Sequence, residues 1–203
     1  MIGLFLKAKH WQLFALMLGI PLLYQVYFMS QIWRFQAQPE SVEGEEGFTE
    51  VLNEEFIQFD FFFPLIMISF SLLIFGWFWS IAIGLQKKIP KGIEMKVKTF
   101  KVLFFFPLVY IILLMVYLTG LFNGMGTPRF LGGGWFIAII LPLHLFSMFC
   151  IFYSIRFAAR TIKTAELQRK IGFGDFAGEF FLLWFYFVGI WIIQPKVNKL
   201  YGE

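Results

Sequence analysis

His144 is the one ionisable residue, tyrosine and cysteine aside, that falls inside a long uncharged stretch of this chain. An ionisable group at membrane depth is costly and marks a functional candidate whose partner must be sought. Ser147 follows one helical turn later, and Tyr110 and Tyr117 stand on the preceding uncharged stretch, where either can face it. These four form a candidate intramembrane polar site. A proton relay would need a carboxylate or a second histidine beside the imidazole, and the long uncharged stretches supply neither. The competing reading is a neutral imidazole hydrogen-bonded to a neighbouring helix, holding it by about 1–2 kcal/mol at most. With no acid at depth, that structural role is the stronger reading.

A second constellation lies near the C-terminus, where Asp175 and Glu179 follow Arg169 and Lys170. Paired carboxylates can do acid–base work, but nothing in this spacing fixes their geometry. Asp175 reads better as the cap of a helix start, with Glu179 one turn on beside Arg169 or Lys170. The segment is a candidate cytoplasmic docking surface, against the simpler reading of solvated charge. Gly172-Phe173-Gly174-Asp175-Phe176-Ala177 has the outline of a dinucleotide fingerprint, yet it follows no strand and opens no βαβ unit.

No catalytic, cofactor or metal-binding set emerges. Cys150 is the lone cysteine and lies within an uncharged stretch, and His10 and His144 are the only histidines. That leaves neither a disulfide nor a zinc cluster. A Walker loop, a nucleophile elbow and a zincin signature are all missing.

The elements that must position these residues are helices in lipid. Of 203 residues, 59% are apolar and 15% charged, against about 45–50% and 25% in soluble domains. Four uncharged runs, Trp11–Ser30, Phe61–Leu85, Val102–Phe122 and Trp135–Ile155, each meet the roughly 20 residues needed to cross a bilayer. Backbone polar groups in lipid must be satisfied internally, and barrel-type alternation is absent, so each run is a helix. The first run is too long for a cleaved signal and ends at Ile32-Trp33-Arg34 without a small-residue cleavage pair.

Basic residues set the orientation. Lys7 and Lys9, then Lys87, Lys88, Lys91, Lys96, Lys98 and Lys101, then Arg156, Arg160, Lys163, Arg169 and Lys170 share one side if four helices alternate. Arg34 and Arg129 fall on the other. The N-terminus is therefore predicted to be cytoplasmic, in the cell membrane. The basic loops would attract anionic lipid, which accounts for the net charge of +4 without nucleic acid.

Residues 31–60 form an acidic extracytoplasmic loop, with a flexible middle from Pro39 to Gly47. Thr49 is a predicted N-cap, and Leu52, Phe56 and Phe59 recur at helical spacing, as in a helix lying on a membrane surface. Residues 180–193 are uncharged but short, and Gln194-Pro195-Lys196 is expected to stop them. They form either a tilted fifth helix or a re-entrant hairpin turning near Gly189, and the charge rule favours the hairpin.

Gly76, Ser80 and Gly84 form a small-residue stripe, and Gly120 and Gly124 repeat the spacing. Both mark helix–helix packing, within one chain or between copies. Pro21 and Pro142 should bend their helices, whereas Pro64 and Pro107 lie near the starts of their spans, where they cost less. The matching Phe61–Leu65 and Phe104–Leu108 blocks decay too quickly downstream to define a repeat.

The sequence thus predicts an all-α polytopic transmembrane helical bundle in one membrane domain. It has four spanning helices plus a short C-terminal membrane hairpin or fifth helix. The segments Leu6-Lys7-Ala8-Lys9-His10-Trp11-Gln12-Leu13-Phe14 with Gly19-Ile20-Pro21, His144 to Phe149, and Gly189 to Asn198 are similar to a group of small polytopic membrane proteins of Bacteroidota. That resemblance implies a bacterial cytoplasmic-membrane location and assigns no activity or site residue. The leading expectation is a non-enzymatic membrane protein working through a protein partner or homo-oligomer. A small channel or transporter comes second, and an enzyme at the membrane interface third.

Overall fold

The computed structural model describes residues 2–36, 45–122 and 134–202. The chain is all-α, and among the described residues there is no strand. A short helix α1 (Ile2–Lys7) precedes α2 (His10–Phe14), a wide π turn (Ala15–Gly19) and α3 (Ile20–Gln36). Among the described residues five further α-helices follow: α4 (Glu45–Gly84), α5 (Val97–Phe122), α6 (Gly134–Leu167), and the pair α7 (Phe173–Trp184) and α8 (Tyr186–Gly202). Among the described residues, four stretches are long and apolar enough to cross a membrane: His10–Ser30, Phe62–Lys88, Val97–Leu118 and Ala138–Leu167.

Local chemistry explains the irregularities. Pro21 has no N–H to give the Met17 carbonyl, and the π turn falls at that missing rung. Pro64, Pro107 and Pro142 lie inside α4, α5 and α6. Charge does not end α6, which runs on past Ile155 through Arg156, Arg160 and Lys163.

Two expectations about α4 need correction. Its backbone is one continuous helix of 40 residues, not a surface helix followed by a span, and Thr49 lies inside it rather than at its start. No glycine or proline interrupts residues 48–63, so the acidic run-in propagates directly into the apolar run. The side chains of Leu52, Phe56 and Phe59 lie outside the described residues, as do residues 37–44 and Gly124 and the surroundings of Gly120.

Ring contacts fix the directions of packing. Phe75 and Trp79 of α4 meet Phe104 and Phe100 of α5, so these helices are antiparallel. Phe100 stacks on Phe157 at 4.4 Å while Phe106 meets Phe146 edge-on at 4.7 Å, so α5 and α6 are antiparallel too. The buried hydrophobic core draws on α4 from Phe75 onward, on Phe100 and Phe104, and on α6 from Cys150 onward. It is gathered toward the basic end of the bundle, which carries Lys87, Lys88 and Lys163.

Helices α7 and α8 form a hairpin inside this half. Trp184 meets Phe152 and Glu179 meets Lys163, which sets α7 antiparallel to α6. Tyr186 meets Phe70 and Gln194 meets Trp77, which sets α8 parallel to α4. The tip therefore reaches the level of Phe152 and Phe70, partway along the bundle, and α8 returns to the basic end.

The turn is at Phe185 (φ −86°, ψ 58°), four residues before the expected position. Gly189 has another task. A Cβ there would overlap the Leu182 carbonyl, so the glycine lets the two arms approach. The helix also continues through Pro195 to Gly202 instead of stopping. Ile193, Gln194 and Val197 are buried on both sides of the proline, and that packing outweighs the single lost backbone bond.

Candidate functional site

The small-residue stripe on α4 is occupied from within the chain. The Phe5 ring lies over Gly76, and Leu6 and Ile2 lie over Gly84. Ser80 donates to the Gly76 carbonyl at 2.7 Å. The partner of this stripe is thus the six-residue helix α1, held close because two glycines present no Cβ.

A helix as short as α1 leaves most of its carbonyls without backbone partners. Gln194 of α8 supplies the missing donors. Its Nε2 shares two hydrogens among the carbonyls of Phe5 (2.7 Å) and Ala8 (2.9 Å) and Asn198 Oδ1 (2.7 Å). Its Oε1 accepts from Trp77 Nε1 at 2.8 Å, and Asn198 Nδ2 donates to the Ala8 carbonyl at 3.0 Å. Gln194 and Trp77 are both fully buried. One amide ties the N-terminal helix, α4 and the returning arm of the hairpin. Nothing in the periodicity of residues 180–193 picked it out. The available signal was an amide closing an otherwise uncharged run, since polar groups in such helices turn toward other helices.

At the base of the hairpin four charges close into a ring. Lys163 contacts Glu166 (3.0 Å) and Glu179 (3.2 Å), and Lys196 contacts both Glu166 and Glu179 at 2.9 Å. The expectation that Glu179 sits beside Arg169 or Lys170 is corrected here. It turns inward, where Lys163 of α6 and Lys196 of α8 converge, and only 7% of it is exposed. Burial opposes its ionisation most strongly, but hydrogen bonds and charge from Lys196 and Lys163 outweigh that and hold its carboxyl below the ordinary range. The ring carries no net charge and fastens α6, α7 and α8 together.

Asp175 stands at the entry to α7. Its Oδ2 accepts from the Gly172 backbone N–H at 2.8 Å and its Oδ1 from Arg169 at 2.7 Å. The Gly172 hydrogen bond first, and Arg169 second, hold its carboxyl below the usual value. Of the candidate docking residues, Asp175 and Arg169 are thus paired and Glu179 is buried. Lys170 is exposed, and its backbone carbonyl accepts from Arg169.

Among the candidate polar residues, the fold brings His144 and Tyr110 together. Tyr110 Oη and His144 Nδ1 are 3.2 Å apart, with ring centroids 5.8 Å apart. Ser147 is 3% exposed and turned into the bundle, whereas His144 is exposed on its outside. Tyr117 lies two turns further along α5. Among the described residues no group of three or more His, Cys, Asp or Glu side chains is placed to hold a metal ion. No family model, curated protein or solved structure matches the chain.

Proposed function

We propose that this chain is a non-enzymatic integral protein of a bacterial cytoplasmic membrane, as the resemblance to Bacteroidota proteins implies, and acts through a partner helix or a second copy. The carrying observation is the outward position of His144. Its Nδ1 is engaged by Tyr110, while its neighbours Leu141 and Leu145 are 57% and 58% exposed. An imidazole on an apolar outer face gains when another protein, rather than hydrocarbon, covers it. The carboxylates considered for chemistry, Asp175 and Glu179, are engaged in a helix cap and in ion pairs, which counts against the enzyme reading.

An N-terminus inside is supported by the hairpin, which returns Lys196 to the end holding Lys87, Lys88 and Lys163. Anionic lipid would gather at that end. Purification in mild detergent tests the proposal. A dimer, or a partner recovered repeatedly, is the expected result. A bare monomer in every preparation would sink it.

The hairpin that ends partway along the bundle favours a second reading, a small homo-oligomeric channel or transporter. Non-helical backbone at membrane depth is tolerated where protein covers it or a pore is lined. Ion flux from liposomes that depends on the protein would support this reading, and its absence would remove it.

A further inference from the structure

Helix α6 presents one stripe to the outside along its length. Leu145, Phe149, Arg156 and Arg160 recur at helical spacing on it. The stripe runs between two contacts: Phe152 and Lys163 face α7, while Phe146 and Phe157 face α5. Leu145 and Phe149 are 58% and 57% exposed. Arg156 is exposed and Arg160 half-buried. Neither arginine has a carboxylate partner among the described residues, whereas the neighbouring Lys163 is held by Glu166 and Glu179. The stripe thus passes from an apolar upper part to two uncompensated guanidinium groups one turn apart.

We propose that Arg156 and Arg160 bind the phosphate of an anionic phospholipid whose acyl chain lies along Leu145 and Phe149. The site rests on the membrane reading above and goes beyond general attraction to the basic loops. Guanidinium forks match phosphate oxygens in pairs, and two of them one turn apart can share one phosphate. The uncharged run Trp135–Ile155 ends directly before Arg156, which is where a crossing helix would meet the headgroups. Phe152 marks the level of the hairpin tip, partway along the bundle, and the arginines lie one and two turns toward the basic end. An acyl chain rising from that phosphate would run along the exposed Leu145 and Phe149.

The test begins with carbonate-washed membranes, since release of the full-length protein by that wash would refute the membrane reading by itself. Phosphatidylglycerol bound to protein purified in neutral detergent is then titrated by native mass spectrometry, with phosphatidylcholine as comparison. Arg156→Gln with Arg160→Gln should weaken phosphatidylglycerol binding roughly thirtyfold. Lys87→Gln with Lys91→Gln removes the same charge elsewhere and should leave tight binding in place. Arg160→Gln alone should give an intermediate loss, and it serves if the double variant misfolds. Equal loss in both double variants would mean diffuse attraction and overturn the site. Equal binding of the two lipids would overturn it as well. Displacement by millimolar inorganic phosphate would show a free-anion site, and retention of an acidic protein in place of lipid would show a protein contact. Either would refute the lipid assignment.

Discussion

The indole N–H of Trp77 donates to the side-chain oxygen of Gln194 at 2.8 Å, across 117 positions of sequence and in a fully buried setting. The same amide serves two carbonyls at the end of α1. Gln194→Leu keeps the volume and removes every one of these bonds. Buried groups left unsatisfied cost about 1–3 kcal/mol each, so this substitution should lower stability by at least about 3 kcal/mol. Cys150 is the lone cysteine and buried, so the onset of labelling by a thiol-reactive dye on heating reports unfolding. Labelling of the variant at the wild-type temperature would show that the amide does not hold the fold.

The contrast between that residue and the long helices shows what is legible in a sequence of this kind. The uncharged runs Phe61–Leu85 and Trp135–Ile155 announce helices α4 and α6 because a missing charge is a local property. The basic side of the hairpin was also readable, from Lys196. Where the hairpin turns was not, since Phe185 carries no turn signature, and Gly189 marks a close approach instead. Glu179 was misassigned for a similar reason: Arg169 and Lys170 are near it in sequence, but Lys163 and Lys196 arrive by tertiary packing. The occupant of the Gly76–Gly84 stripe was hidden because α1 is too short to look like a packing partner.

Gly189→Ala should open the hairpin. Its new methyl would meet the Leu182 carbonyl, which is backbone and cannot swing aside. Gly178→Ala, on the other arm, meets nothing within 4 Å. It should be neutral or stabilising by about 0.5–1 kcal/mol through helix propensity. Limited proteolysis near Phe185 distinguishes them. Equal resistance of both variants would contradict the close approach.

Glu179→Gln leaves Lys163 and Lys196 with Glu166 alone. With the side chain of Glu179 9% and that of Lys196 28% exposed, the loss should be about 1–3 kcal/mol, below that of a fully buried pair. The pH dependence follows from the depressed folded carboxyl. Its contribution is complete above the ordinary carboxylate value, about pH 4, and is lost as pH falls through the folded value. Thermal unfolding in detergent should therefore show a wild-type loss on acidification that Glu179→Gln reduces. An identical acid profile for the two proteins would remove Glu179 from the stabilising ring.

His144→Ala and Tyr110→Phe separate packing within the chain from association between chains. The Tyr110–His144 bond joins α5 to α6 but is exposed, so its loss should lower stability by only about 0.5–1.5 kcal/mol. If a partner helix covers the imidazole, His144→Ala should reduce association severalfold while Tyr110→Phe, which leaves the imidazole in place, reduces it less. Cross-linking in membranes measures the association, and thermal unfolding measures the stability. Equal effects of the two substitutions on association would assign His144 to internal packing. A larger effect at His144, with little change in unfolding temperature, would place the second chain against the outer face of α6, because His144 is exposed there while Tyr110 is half-buried.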